Sequence, residues 1–526
     1  MAVLGSLGLA LPLLAGCQPP RPGLSLVVAT KSRIDSLDPA QASRIGVMQV
    51  LSGLGDPLYA IDASGRIEPR LATALPVLSL DGLRARIPLR RGVLFHDGTR
   101  FDAEAMAFSL RRFMAIGTLG YQLSERVEAV RTTGPYELEL VLKRPFSPLP
   151  RLLSAIFLTP VSPTAYREYR DKPLNERFVG TGPYALAFFS GQQQRLVPFH
   201  RYWGRRPANG GIDLVTLSNS TALFGALRSG EVDLLLSSGL EIDHQEALHR
   251  DAGAGRLREA VGPSQEIGLV SLLSDQPPLD RLPLRQAVAL SLDRGTISQR
   301  VALGLRAPLR QLIPPSLPGS DPSAWPTYDP AGARALYRRE GYCSGRVLTL
   351  PLTYRSDIPT DRLFALTWQA QLRRDLGDCV ALELTGMEST TAYAQLDKGT
   401  LTMLFYDWIA DYPDAENFLM PLLACSQAEA DRCLKGNSVL GGTFWTAPGL
   451  QQQLERSSQL AGPDRIALLE AIQRRVGAAS PYLPVWLSAP VAWGRLPVSR
   501  PRFDGSGRVL LGELHRLPTT AGGSPP

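Results

Sequence analysis

Apolar residues recur along this chain in two periods, every second position over short stretches and every three to four over longer ones. The two kinds of stretch alternate through most of the length, which predicts an α/β fold. LSLVVAT (24–30) reads as a strand, and YELELVL (136–142) alternates cleanly as another. Segments 84–89 and 93–95 read as a hairpin-like pair. A helix is expected over 102–113, with Asp102 as its cap and Glu104 in its first turn. Segment 220–229 is helical and stopped by Gly230, after which 232–236 enters a buried strand. The helical pattern over 284–303 is expected to break near Asp293 and Gly295. A long amphipathic helix, 360–376, lies between strands 348–354 and 380–384, and 466–478 is a further helix. The tail, 518–526, is rich in Pro, Gly and Ser and is expected to be disordered. There is no internal repeat.

Length and composition narrow the picture. At 526 residues the chain exceeds one ordinary core and predicts about two to four domain-sized units. Hydrophobic residues are 44% and charged residues 20%, a globular balance. The net charge of +7 comes almost wholly from arginines scattered along the chain. Without a basic cluster this predicts a solvated Arg-rich surface and no nucleic-acid partner.

The N-terminus carries a stronger signal. Residues 1–16, MAVLGSLGLALPLLAG, have the length of a signal-peptide core and fall short of the ~20 residues a spanning helix needs. They end in Leu14-Ala15-Gly16-Cys17, which resembles the bacterial lipobox. Cleavage before Cys17 would leave its thiol and new amino group to carry acyl chains, each holding the bilayer by ~0.8 kcal/mol per buried methylene. Residues 17–23 form the anchor and a Pro-rich tether. The departure from the usual pattern is that no Lys or Arg precedes the apolar run, which leaves the position of the true start open.

Four cysteines remain after Cys17, an even count suited to an oxidising compartment. Four cysteines allow three connectivities; the pairings expected are Cys343 with Cys379 and Cys425 with Cys433. The alternative is four buried free thiols. No metal spacing is present: the five histidines are isolated, and His244 and His249 do not share a helical face. Nor is there a G-x-S-x-G elbow, a phosphate-binding G-x-x-x-x-G-K-[ST] loop, H-E-x-x-H, or G-x-G-x-x-G after a strand. His96 and Asp97 are adjacent, so on extended chain they point apart, and Asp97-Gly98 reads as a turn and not as half of a catalytic dyad. The chain is therefore read as a non-enzyme, with no cofactor expected.

Nine blocks then fall in a fixed order. They are Leu37-Asp38-Pro39-Ala40; Leu58-Tyr59 with GRIEPRLA (65–72); LRRGVLFHDGTRFDAEAMAFSLRRF (89–113); GTGPY (180–184); and Tyr202-Trp203-Gly204. ALRSGEVDLLL (226–236), LRQA (284–287) with Leu292-Asp293-Arg294, and Tyr328-Asp329-Pro330 with Glu340-Gly341-Tyr342 continue the series. Trp408-Ile409-Ala410-Asp411-Tyr412-Pro413-Asp414 closes it. Together these blocks resemble the extracellular solute-binding family 5 of ABC importers, which includes dipeptide-, oligopeptide-, nickel- and glutathione-binding proteins. The resemblance runs over about residues 24–515.

The resemblance implies a two-lobed type II periplasmic binding fold with mixed sheets and an extra insertion subdomain in the first lobe. Lobe I would be 24–270 plus 486–517, with the insertion over about 65–179, and lobe II would be 271–485. The chain would cross between lobes near 263–272 and 480–490. A solute would bind between the lobes and be buried by hinge closure. The implied partners are ABC permease and ATPase subunits, a peptide or other small solute, and the membrane through the lipid anchor. The protein is expected to act as a periplasmic, membrane-tethered monomer.

Peptide binders of this family hold the ligand ammonium with the Asp of a W-x-x-D segment, which here is Asp411. The alternative is that Asp411 or Asp414 caps a turn around Pro413. In dipeptide binders a cationic residue ending the preceding strand pairs with the ligand carboxylate; Arg355 is the matching position, and its planar fork suits a carboxylate. A surface arginine is the other reading. Trp408 and Tyr406 give an aromatic edge on one strand face, for ligand stacking or for core packing. Two departures bear on the ligand: segment 267–274 lacks the family's frequent Asn, and Asp414 is followed by Ala415, not Pro. A nickel chelate or other small solute is the runner-up ligand. An exported chaperone or sensor, or a hydrolase, is the reading of another class.

Overall fold

A computed structural model describes residues 25–237 and 239–518. Cys17, the apolar leader and the tail beyond 518 lie outside the described residues. Two large mixed sheets carry the fold. The first has seven strands, with Leu26–Thr30 at its centre paired in parallel with Ile212–Thr216 and Leu234–Leu236. The second has six, in the order Ala307–Pro308, Tyr482–Ser488, Glu266–Leu272, Met403–Ile409, Leu348–Arg355, Val380–Met387. The chain passes from the first sheet to the second across 262–265, between Leu257–Val261 and Glu266–Leu272. It returns across 489–490, between Tyr482–Ser488 and Val491–Arg495. A smaller four-stranded sheet, which contains Arg84–Pro88, Val127–Gly134 and Glu137–Leu142, stands between the first and second strands of the large first sheet in chain order.

Local chemistry accounts for most element ends. Asp102 caps Ala103–Ile116 by accepting from the Ala105 N–H. Asn219 caps Ser220–Ser229, and Gly230 ends it at φ +85°, a left-handed turn that a side chain would resist. The 284–303 pattern divides into Leu282–Leu290 and Arg294–Ala302, because Asp293 turns from helix member to cap and accepts from Thr296. Leu348–Arg355, Pro359–Leu376 and Val380–Met387 form one parallel strand–helix–strand unit.

The hairpin expected from 84–89 and 93–95 is corrected. Arg84–Pro88 pairs with Glu137–Leu142 and with Val77–Leu78 instead. Pro88 has no N–H to extend a local ladder, and Phe95 turns back at once, its N–H donating to Thr99 across the Asp97-Gly98 turn. His96 is fixed by the Gly180 N–H and the Gly182 carbonyl, and burial pushes its pKa down to about 4. Asp97 bonds Thr99 and Ser162, so His96 and Asp97 form no dyad.

One apolar core runs through the first sheet and the small sheet, joining Leu26, Leu214, Ile87, Leu138 and Phe113. The second sheet has a core on each face, Phe405 with Phe364 and Trp486 on one side and Leu404 with Tyr406 and Phe418 on the other. Disulfides join Cys343 to Cys379 and Cys425 to Cys433.

Two buried carboxylates tie the ordered blocks together. Asp56 accepts from Arg70 (2.6 Å), Tyr202 (3.0 Å), Trp203 (3.0 Å) and Thr181 (3.3 Å), so three of the blocks meet on one side chain. Asp38 receives both Arg112 terminal nitrogens at 2.8 and 2.6 Å, together with the Ala40 and Leu174 N–H groups. Arg112 is 5% exposed and Asp38 is fully buried. Asp38→Ala would strand a buried cation, and unfolding in urea should show a loss of about 3–5 kcal/mol.

Candidate functional site

The strand Met403–Ile409 lies inside the second sheet, between Glu266–Leu272 and Leu348–Arg355. Its alternation places Tyr406 in the core, 4% exposed, with its hydroxyl on the Gly441 carbonyl. Trp408 is half-buried on the same face, and its Nε1 donates to the Asn417 carbonyl at 2.8 Å. Both aromatics therefore pack on one face of the second sheet and orient the turn that follows them.

That turn carries three carboxylates in six residues, and each has a different partner set. Asp414 is gripped by Arg465 at 2.5 and 3.1 Å, with Arg151 at 3.6 Å. Glu416 pairs with Arg126 at 2.7 Å and accepts from the Tyr412 hydroxyl. Among the described residues, Asp411 has no arginine at hydrogen-bond distance. Its Oδ2 accepts from the neutral Gln122 amide at 2.7 Å, and its backbone N–H donates to Asn417 Oδ1 at 2.7 Å. Burial raises the Asp411 pKa above the usual carboxylate range, while the Gln122 bond and the Arg126 charge pull it back.

Three of the partners come from the other half of the molecule. Gln122, Arg126 and Arg151 belong to the 65–179 region, and Arg151 also donates to the Pro413 carbonyl at 2.9 Å. Tyr412, although it follows a strand of the second sheet, is buried in the first sheet's core. The W-x-x-D segment is thus the seam between the second sheet and the 65–179 region. Spacing in sequence carried no signal for Gln122, Arg126 or Arg151, because each meets its partner across more than 260 residues.

Arg355 ends its strand as expected, but the structure places it within an internal network. Asp361 takes two of its nitrogens at 2.6 and 3.1 Å, Asp407 a third contact at 2.5 Å, and Tyr393 the remaining end at 3.1 Å. Two carboxylates already balance this guanidinium. Asp411 and Arg355 are therefore unlike: one is a carboxylate short of positive charge, the other a cation with anions to spare. Beside this network, Glu266 starts the strand that enters the second sheet. Burial, then the charge of Asp407, raises its pKa to about 7, against Arg306 and Arg355. Among the described residues no group of His, Cys, Asp and Glu could hold a metal, and no helix is long and apolar enough to cross a membrane.

Glu266 makes a testable pH signature. Its carboxyl would titrate at 4.5 unperturbed and titrates at about 7 here, so between those values the folded protein holds a proton the unfolded chain has lost. Its contribution to stability therefore falls as pH rises through that window and is level above it. Glu266→Gln removes this contribution. Urea midpoints of the variant should gain on the parent protein between about pH 4.5 and about pH 8. A constant difference over that range would mean that Glu266 titrates normally.

Comparison with known proteins gives a consistent result. The family described as bacterial extracellular solute-binding proteins, family 5, middle, matches residues 66–430. The glutathione-binding protein GsiB of Escherichia coli strain K12 is 25% identical over 495 residues, covering 92% of each chain. NikA from Brucella suis, solved with Fe(III)-EDTA, superposes with a TM-score of 0.80 at 22% identity, over 94% of this chain and 100% of that one. A dipeptide-binding protein from Pseudoalteromonas sp. SM9913, solved with Met-Leu, gives 0.74 at 20% identity over the same shares. These two structures share the fold, that of type II periplasmic binding proteins.

Proposed function

The chain belongs to the bacterial extracellular solute-binding proteins of family 5, and from that premise we propose that it captures a peptide-like solute bearing a free ammonium group and delivers it to an ABC permease. Asp411 carries this reading. Among the described residues it is the one carboxylate of the 411–416 turn without an arginine partner, and it lies at the seam between the second sheet and the 65–179 region. An ammonium group would supply the missing charge in a site where burial strengthens the bond. The glutathione named for the curated relatives is a peptide of this kind, with a free amine. The relatives are binding proteins, and binding without turnover is the activity proposed here.

In this reading the lobes are the chain segments built on the two large sheets, with the hinge at 262–265 and 489–490. Closure stabilised by the solute marks the loaded form for the permease, and the solute shifts that balance only by its greater affinity for the closed form. Arg355 would contribute to the ligand carboxylate only by sharing its charge with Asp361 and Asp407. Trp408 and Tyr406 would act by holding the turn in place. Cys17 would carry the lipid that keeps the protein at the membrane; Cys17→Ser should move it from the membrane fraction to the soluble one, read by fractionation of cells.

Native mass spectrometry of the purified protein identifies the bound solute. Asp411→Asn should weaken a peptide ligand by about 2–5 kcal/mol in titration calorimetry, because the ammonium is left buried and unpaired. Unchanged affinity would remove Asp411 from the site, and release of a metal chelate or a sugar would overturn the peptide reading.

A further inference from the structure

We propose that Gln122 is a ligand-contacting, specificity-determining residue, forming with Asp411 a two-sided receptor for a compact primary ammonium group. The inference rests on the reading of Asp411 above and extends it to the 65–179 region, for which that reading has no role.

The geometry is specific. Gln122 sits in the one-turn helix Tyr121–Ser124 and is 3% exposed, so its amide is held by packing. A carboxylate only accepts hydrogen bonds, so the amide nitrogen must be the atom facing Asp411. One Nε2 hydrogen goes to Asp411 Oδ2 at 2.7 Å and the other to the Tyr121 hydroxyl at 3.2 Å. Both donors are therefore spent, and Oε1 has no hydrogen-bond partner among the described residues. Asp411 Oδ1 is in the same position. Arg126, whose charge is felt at Asp411, is paired with Glu416.

Two open acceptors, locked together by one short hydrogen bond, suit a group with several donors and no acceptor. A primary ammonium has three donors on a compact centre. It can bond Asp411 Oδ1 and Gln122 Oε1 together and turn its third hydrogen elsewhere. A guanidinium does worse here, since its fork wants both oxygens of one carboxylate and Gln122 holds one of them. An acylated amine does worse still, having no charge to offer. By fixing the carboxylate before the ligand arrives, Gln122 also lowers the ordering that binding requires.

The test is titration calorimetry with glutathione, the dipeptide Met-Leu and N-acetyl-Met-Leu, on the parent protein and the Gln122→Leu, Gln122→Met and Asp411→Asn variants. Gln122→Met keeps the length of the side chain, and either Gln122 variant with parent-like thermal unfolding serves. The parent should prefer free-amine probes over the acetylated one. Loss of the Gln122 amide should reduce that preference about tenfold or more through weaker binding of the free amines, with N-acetyl-Met-Leu unchanged. A purely structural role would weaken all probes alike and overturn the inference. If Asp411→Asn abolishes the preference and the Gln122 variants keep it, Gln122 is not a ligand contact, while the reading of Asp411 stands. If Asp411→Asn keeps the preference, or no free-amine probe binds the parent up to millimolar concentration, that reading falls and takes this inference with it.

Discussion

Pairing of buried carboxylates with arginines across the seam is the constraint on which the arrangement rests. A carboxylate withdrawn from water is tolerable only with a partner and with its remaining lone pairs satisfied. Asp414 and Glu416 are 1% and 2% exposed, and both are met by arginines that include residues of the opposite half, Arg151 and Arg126. Tyr412, buried in the first sheet's core, pins the same turn by packing. With charge and packing both fixed, the turn has little freedom, and Asp411 is presented in a defined place with its deficit of positive charge intact.

The same rule organises the frame behind the seam. Asp38 and Asp56 each collect donors from stretches far apart in the chain, so that polar groups in the first core become cross-links. In the second sheet the rule is met with less margin. Arg355 serves Asp361 and Asp407 together, and Glu266 stands beside them with a raised pKa. At both Asp411 and Glu266 burial is the main cause of the raised pKa.

Much of this was legible in the residues. Asp102 announces a helix start and Asp293 a break through chemistry that acts within three residues, and Gly230 announces a stop in the same way. The ordered blocks were legible as family landmarks before their physical meaning was. Arg70, Thr181, Tyr202 and Trp203 come from three of them, and they converge on Asp56, a residue in none. The hairpin over 84–95 misled because two short apolar stretches close in sequence satisfy the local pattern, while Pro88 and the Asp97-Gly98 turn divert the ladder to Glu137–Leu142.

By itself the sequence determined the alternation of strands and helices, the cap at Asp102 and the stop at Gly230, the family, and Asp411 as the residue to inspect. These are properties of periodicity, of contacts within a turn, or of ordered motifs. Only the tertiary structure decided which partner each charged side chain takes. Arg355 turned to Asp361 and Asp407, Tyr406 into the core, and Asp411 to Gln122, 289 positions away. The physical reason is that a cap is chosen by neighbours along the chain, whereas a buried charge is paired by whatever folding brings within about 3 Å.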